Sequence, residues 1–438
     1  MQEKEISHLR EKLEKAGLLP LRRQAETADR ILKEKLEHVL PGAMAETAAD
    51  CWIVIARENN DDPIMRTLFT SDMPYARRIA AFVFIRDERS GDVRRFYAGP
   101  SSPGMSALYE RPAADGDDGL SCVIRLVKEF KPRNISVGTS SQFGFCDGLS
   151  ATLLEELKTA LAERAEDFVS GEDLSVIWLE SMTDLELRLM KTLTQVTADI
   201  IKLVFSSRFI TPGVTTTTDL EWLMRDCISD LGFINWFGPD VDLQRQGDQR
   251  TRIFEAAVER GDLLHCDIGM AGKYARLSTD MQWLAYVFRH GETSPPNGFS
   301  ELLKAGNRFQ DIVCSFFKTG ESGNAVFQKA TAQAVSEGMT PMLYTHPLGT
   351  FGHGAGPAIG VYKDQSGSIK GRGERLLRAG TCFALELNVC SRIAEWDGQK
   401  TFAYLEESVC FDGEKVTYLS DCGRQTSLIE LRGLAAPF

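Results

Sequence analysis

The sequence contains no long apolar run. Its start, MQEKEISHLREKLEKAGLL, is charged and amphipathic where a secretory leader needs a continuous apolar stretch. No later segment approaches the ~18 uncharged apolar residues of a membrane span. A cytoplasmic location away from membranes is the expectation. Positive charge is also short: 50 Lys and Arg stand against 62 Asp and Glu, giving a net charge of −12. Such a balance offers no broad attraction to phosphate backbones or anionic lipid, so neither nucleic acid nor membrane is an expected partner. The 10 cysteines include no CxxC and no paired zinc-finger spacing, and Cys122 and Cys382 lie inside apolar runs. Reduced, buried thiols are expected. Low-complexity tracts and short repeats are missing as well.

What is present suits a packed globular protein: 438 residues, 43% apolar and 26% charged. That length exceeds one ordinary core and predicts two domains. Apolar residues at helical intervals predict helices over 3–18 and 24–40, broken at Pro20 and Pro41 and forming a cap on the rest of the first domain. Strand runs come next in DCWIVIARENN and RRIAAFVFIRDERSGDVRRFYAG, the second a hairpin turning at Ser90-Gly91, then another in NISVGTS. LSATLLEELKTALAE reads as a helix, and this alternation makes residues 1–175 a first α/β domain. Its boundary falls in GEDLSVIWLES. Residues 176–438 open with a long helix over about 184–207 and a second one capped by Thr217 or Thr218, with Thr215 and Asp219 organising the turn. Strands over 263–270, 279–288, 381–391 and 401–411, with helices near 296–317 and 323–337, complete an α/β (α+β) pattern.

The chemistry concentrates in four stretches. GDLLHCDIGMAGKYARLSTDMQWLAYV places Asp267 and Asp280 among apolar neighbours on two strand-like runs. A buried carboxylate without a partner costs several kcal/mol, so each needs a cation, a metal or donor hydrogen bonds. Strand alternation turns His265 the same way as Asp267. THPLGTFGHGAGPAIG sets His346 and His353 in a glycine-rich segment that can approach a ligand closely. GTCFALELNV carries Glu386 within an apolar strand, and FAYLEESVCF carries Glu406 and Glu407. Several ionised carboxylates share one apolar cleft only when cations neutralise them, and carboxylates with one imidazole suit Mn, Co, Fe or Zn ions. His8, His38 and His290 lie in charged or turn sequence and read as surface residues, and Glu407 and Asp262 as solvated or paired charges.

These residues, in the order Asp267, Asp280, His346, Glu386, Glu406, resemble the ligand set of the pita-bread metallopeptidases, the family of methionine aminopeptidase, aminopeptidase P and prolidase. HPLGTFGH is similar to that family's H-G-x-G-x-x-x-H, AGTCFALEL to its P-G-M-x-x-x-I-E-P, and AYLEESVCFDGEKV to its R-I-E-D-x-V-x-V-T-x-x-G. The resemblance implies a creatinase-like N-terminal domain, a C-terminal pita-bread domain and a homodimer. It implies two divalent ions, one chelated by Asp267, both bridged by Asp280 and Glu406, and the other completed by His346 and Glu386. It further implies that Glu386 shuttles a proton and that His353 donates to the substrate carbonyl. The expected reaction is hydrolysis of a peptide's N-terminal amide bond, of the Xaa-Pro aminopeptidase or dipeptidase type. The alternatives are hydrolysis of a non-prolyl or non-peptide amide, or a catalytically silent binding module.

The sequence departs from the family at definite places. The loop between Asp267 and Asp280 is two residues longer. The T-R-T after the second aspartate is replaced by Met281-Gln282-Trp283-Leu284, and Gly354 stands where an acid commonly follows the second histidine. FGPDVDLQRQGDQRTR lacks the family's upstream substrate histidine, which makes His265 a candidate replacement and a third catalytic candidate beside His353 and Glu386.

Overall fold

A computed structural model describes residues 3–112 and 118–432. The chain divides into two compact units, residues 25–183 and residues 1–24 with 184–438. The sequence reading put a boundary at 175. The segment around it is a helix, Glu172–Glu180, whose Trp178 Nε1 donates to Thr67 Oγ1 at 2.8 Å, both inside the 25–183 unit.

That unit holds a five-stranded sheet in the order Val93–Ala98, Ile79–Arg86, Cys51–Arg57, Ile135–Val137, Phe168–Ser170. The first two pairings are antiparallel, and the last two are parallel. Helices Gly119–Phe130 and Ala151–Ala160 bury Val123, Val127, Leu153 and Leu157 in its core. Asp118 and Ser150 start these helices by accepting from the amides three residues on, as capping side chains do. Pro41 does not break its helix. A π-helical turn at Lys35–Val39 precedes it, and the proline sits at the start of the next helical stretch, Leu40–Glu46, where its missing amide hydrogen costs nothing.

In the other unit, one mixed sheet runs in the order Pro341–Leu343, Thr381–Ile393, Gln399–Phe411, Met281–Val287, Leu263–Ile268, Asp240–Gln244, with His346–Leu348 also paired to Thr381–Ile393. Helices Asn297–Ser315 and Gly323–Ser336 bury Phe299, Phe309, Val326 and Ala330 against Leu385, Leu387 and Leu405. Those strand residues alternate with Glu386 and Glu406, so one face of the sheet builds the core and the other carries the acids. The helix Asp184–Val204 contacts the first helix, Glu3–Lys15, and Lys12 Nζ lies 2.6 Å from Asp199 Oδ2. The helix Thr217–Asp230 begins one residue earlier than its expected caps. Thr216 accepts from the Asp219 amide while the Asp219 side chain accepts from Thr216, a reciprocal arrangement that satisfies two free amides. No helix among the described residues is long and apolar enough to cross a membrane.

Candidate metal centre

The five acids and imidazole come from four strands and one strand approach. Asp267 lies on Leu263–Ile268, and Asp280 immediately precedes Met281–Val287. His346 opens His346–Leu348, Glu386 is central in Thr381–Ile393, and Glu406 is central in Gln399–Phe411. Register brings them together. Glu386 is the cross-strand partner of Glu406, Glu406 of Gln282, and Gln282 of Asp267. His346 pairs with Ala384, two residues from Glu386. Ser408 Oγ donates to the Asp280 carbonyl at 3.0 Å and accepts from its amide at 3.3 Å, fixing the backbone that presents this acid.

Two triads result, Asp280–His346–Glu406 and Asp267–Glu386–Glu406, and the ligating atoms within each lie within 4.8 Å of one another. They share Glu406. His346 Nε2 is 3.6 Å from Asp280 Oδ2, 3.6 Å from Glu406 Oε1 and 3.8 Å from Glu386 Oε2. The resemblance grouped Glu386 with His346; the tighter grouping joins it to Asp267.

The electrostatics of the cluster demand a cation. Burial pushes the Glu406 carboxyl up to about 8. Burial, then the charge of Glu406, raises Asp267, Asp280 and Glu386 well above the carboxylate range. Burial also lowers His346 to about 4, leaving a neutral ring. Its Nδ1 is 3.0 Å from the Pro347 carbonyl, which fixes the proton there and leaves the Nε2 lone pair facing the acids. Among buried polar atoms without a hydrogen-bond partner are Asp267 Oδ1, Asp280 Oδ1, His346 Nε2 and Glu406 Oε1. These are the atoms a divalent ion would take at about 2.0–2.2 Å, so the donor set fits metal binding.

His353 sits at the exposed rim. Its ring meets the His346 ring edge-on at 4.7 Å and the Trp236 ring at 5.3 Å. Desolvation, with His346 and the Arg372 charge nearby, holds its pKa down near 4. His265 is 1% exposed, its Nδ1 is 2.8 Å from Asp242 Oδ2, and its Nε2 is 3.0 Å from Gln282 Oε1. It therefore touches neither open space nor a ligand carboxylate. Glu407 is buried on the opposite face, accepting from Trp283 Nε1 and the Gln425 amide, each at 2.8 Å. Asp262 is buried against Arg245 at 2.7 Å. His8, His38 and His290 are exposed.

Sequence reasoning did not single out Gln282, Asp242, Arg252 or Trp236. Gln282 had a signal: a polar residue inside the apolar run MQWLAYV, buried to 3% in the structure. Trp236 gave none. Its indole packs against two ligand-bearing turns, where a Cβ at Gly269 or Gly352 would come within 2.2 Å of it.

No protein-family model matches the chain, and no curated protein matches it in sequence. Solved structures do. The chain is similar to the X-Pro aminopeptidase from Thermotoga maritima, with a TM-score of 0.63 and 16% identity over 89% of this chain and 100% of that one. It is similar to the Xaa-Pro dipeptidase from Bacillus anthracis, with a TM-score of 0.61 and 16% identity over 91% and 100%. The prolidase from Pyrococcus furiosus gives a TM-score of 0.58 and 14% identity over 87% and 98%. The likeness is one of fold, and it extends over nearly the whole chain. The chain therefore has the pita-bread fold found in Xaa-Pro aminopeptidases, dipeptidases and prolidases, with a buried carboxylate–imidazole cluster on its larger sheet.

Proposed function

We propose that the protein is a metal-dependent hydrolase that cleaves the N-terminal amide bond of short peptides, with two divalent ions held by Asp267, Asp280, His346, Glu386 and Glu406. The observation that carries this reading is the pair of triads sharing Glu406, with unpartnered atoms facing inward. When bound, such ions polarise a carbonyl and bring the ionisation of a water close to neutrality. The protein's own groups do the rest. Glu386, whose pKa burial raises, takes a proton at its carboxylate and returns it to the leaving amine. His353, neutral and at the rim, donates a hydrogen bond to the substrate carbonyl oxygen as negative charge develops there. The names of the structural neighbours support a bond before proline as the first choice.

A second reading, hydrolysis of a non-prolyl amide, is favoured by Tyr404, which stands where the family motif has arginine. Manganese as the natural ion, a homodimer and a cytoplasmic location belong to the same proposal. The deciding experiment is a screen of short peptides with and without proline at the second position, using protein supplied with Mn, Co or Zn and assayed for bound metal. Metal uptake with cleavage of prolyl substrates supports the first choice, and cleavage confined to other amides supports the second. Absence of both metal and cleavage refutes the hydrolase reading.

A further inference from the structure

A row of register partners crosses the sheet at the centre: Glu386, Glu406, Gln282, Asp267 and Asp240. Four are acids, and an amide stands in the middle. Gln282 Nε2 donates to Glu386 Oε1 at 2.5 Å and to Glu406 Oε2 at 2.9 Å, so both of its hydrogens are committed. Its oxygen points away from them, 3.0 Å from His265 Nε2. A carboxamide oxygen only accepts, so His265 donates to it. Behind the ring, His265 Nδ1 is 2.8 Å from Asp242 Oδ2, which Arg252 Nε also reaches at 2.8 Å. Asp242, His265 and Gln282 are 0%, 1% and 3% exposed. The order of donors and acceptors allows one orientation of the amide. A flip would set its oxygen against two carboxylates and its N–H groups against an imidazole N–H.

We propose that Gln282 is a positioning residue for the metal centre and that His265, backed by Asp242 and Arg252, holds its amide in the working orientation. The proposal rests on the metal-centre reading above. Each glutamate gives one oxygen to Gln282, and its other oxygen is thereby turned inward: Glu406 Oε1 lies 3.6 Å and Glu386 Oε2 3.8 Å from His346 Nε2. Two acids directly opposed across an antiparallel pair repel, and without the amide between them nothing on this side holds their carboxylate planes. The centre is thus shaped before an ion arrives, by a group that never ligates it. The stretch Met281–Leu284, a departure from the family pattern, supplies this residue.

The test uses cobalt(II) alone as probe, read by calorimetric titration and by the visible bands that report its coordination. Gln282→Met keeps the length of the side chain and removes the donors. It is expected to lower cobalt affinity by about tenfold or more and to shift the bands, because outer-shell partners of ligands typically contribute a factor of this size. The melting temperature of the metal-free protein tells a folded variant from an unfolded one. His265→Leu is expected to change affinity and spectrum in the same direction, and His265→Gln, which still offers an N–H to Gln282, to restore both. Wild-type affinity and spectrum in Gln282→Met overturn the proposal, as does His265→Gln behaving no better than His265→Leu. If Gln282→Met fails to fold, the His265 pair decides alone. A wild-type chain that takes up no cobalt overturns the metal-centre reading itself, and this proposal with it.

Discussion

Glu386 and Glu406 are directly opposed cross-strand partners, two acids where an antiparallel pair ordinarily gains from opposite charge. Glu406 is 1% exposed. A protein keeps such an arrangement against its own stability, which is the mark of a site built for a ligand of opposite charge.

Replacing Glu406 with Gln should therefore separate function from stability. The substitution keeps shape, removes a carboxylate that both triads share, and relieves the charge that raises Asp267, Asp280 and Glu386. Metal content should fall sharply, while the metal-free variant melts at or above the temperature of the metal-free wild type. Full metal occupancy in Glu406→Gln, or a loss of metal-free stability, would contradict the shared-ligand role.

The raised carboxyls also set a pH dependence. Folded Glu406 holds its proton up to about 8, whereas in the unfolded chain it loses that proton near 4.3. The folded state thus binds more protons than the unfolded state across that interval, and this contribution to stability is present below it and lost as pH rises through it. Glu407, also raised to about 8 by burial, adds in the same direction. Metal-free protein should melt at a lower temperature at pH 8 than at pH 6. Metal affinity should move oppositely, rising about tenfold per pH unit for each proton displaced. Calorimetric scans and titrations at both pH values check the pair of trends, and an affinity independent of pH would refute it.

Much of this centre was legible in the sequence because strands expose their logic. An acid in the middle of an apolar strand has few explanations, and Asp267, Asp280, Glu386 and Glu406 each show that pattern. Helix positions followed from apolar spacing to within a few residues. What could not be read was the cross-strand neighbourhood. His265 was placed on the ligand side by alternation, but its partners Asp242 and Gln282 lie 23 and 17 residues away in sequence and meet it only through register. The same reason hid Arg252. Unit boundaries were blurred because the helix Glu3–Lys15 packs with a helix beginning at Asp184.

Substitution of His353 by Ala should leave metal content unchanged and cost about 100-fold or more in turnover, as removal of one donor to a developing oxyanion does. The loss should fall on kcat more than on KM, because the hydrogen bond strengthens as charge grows on the oxygen. The ring touches His346 but contributes to neither triad. Loss of metal along with turnover would instead make His353 a support for His346.

The closest packing around the centre is at Trp236, whose Nε1 donates to the Thr279 carbonyl at 2.9 Å, one residue before the ligand Asp280. A Cβ at Gly352 would lie 2.2–2.4 Å from three carbons of the indole, far inside contact distance. Gly352→Ala must then displace the ring, and overpacking of this kind costs about 1–3 kcal/mol. Since the ring also rests on His353, the displacement should reach the site and lower turnover. Trp236→Ala opens the space that the new methyl needs. In urea denaturation of the metal-free protein, the double variant should therefore be more stable than the sum of the single effects predicts, by about 1 kcal/mol or more. Simple additivity would show that the indole yields freely and that Gly352 is not required by its approach.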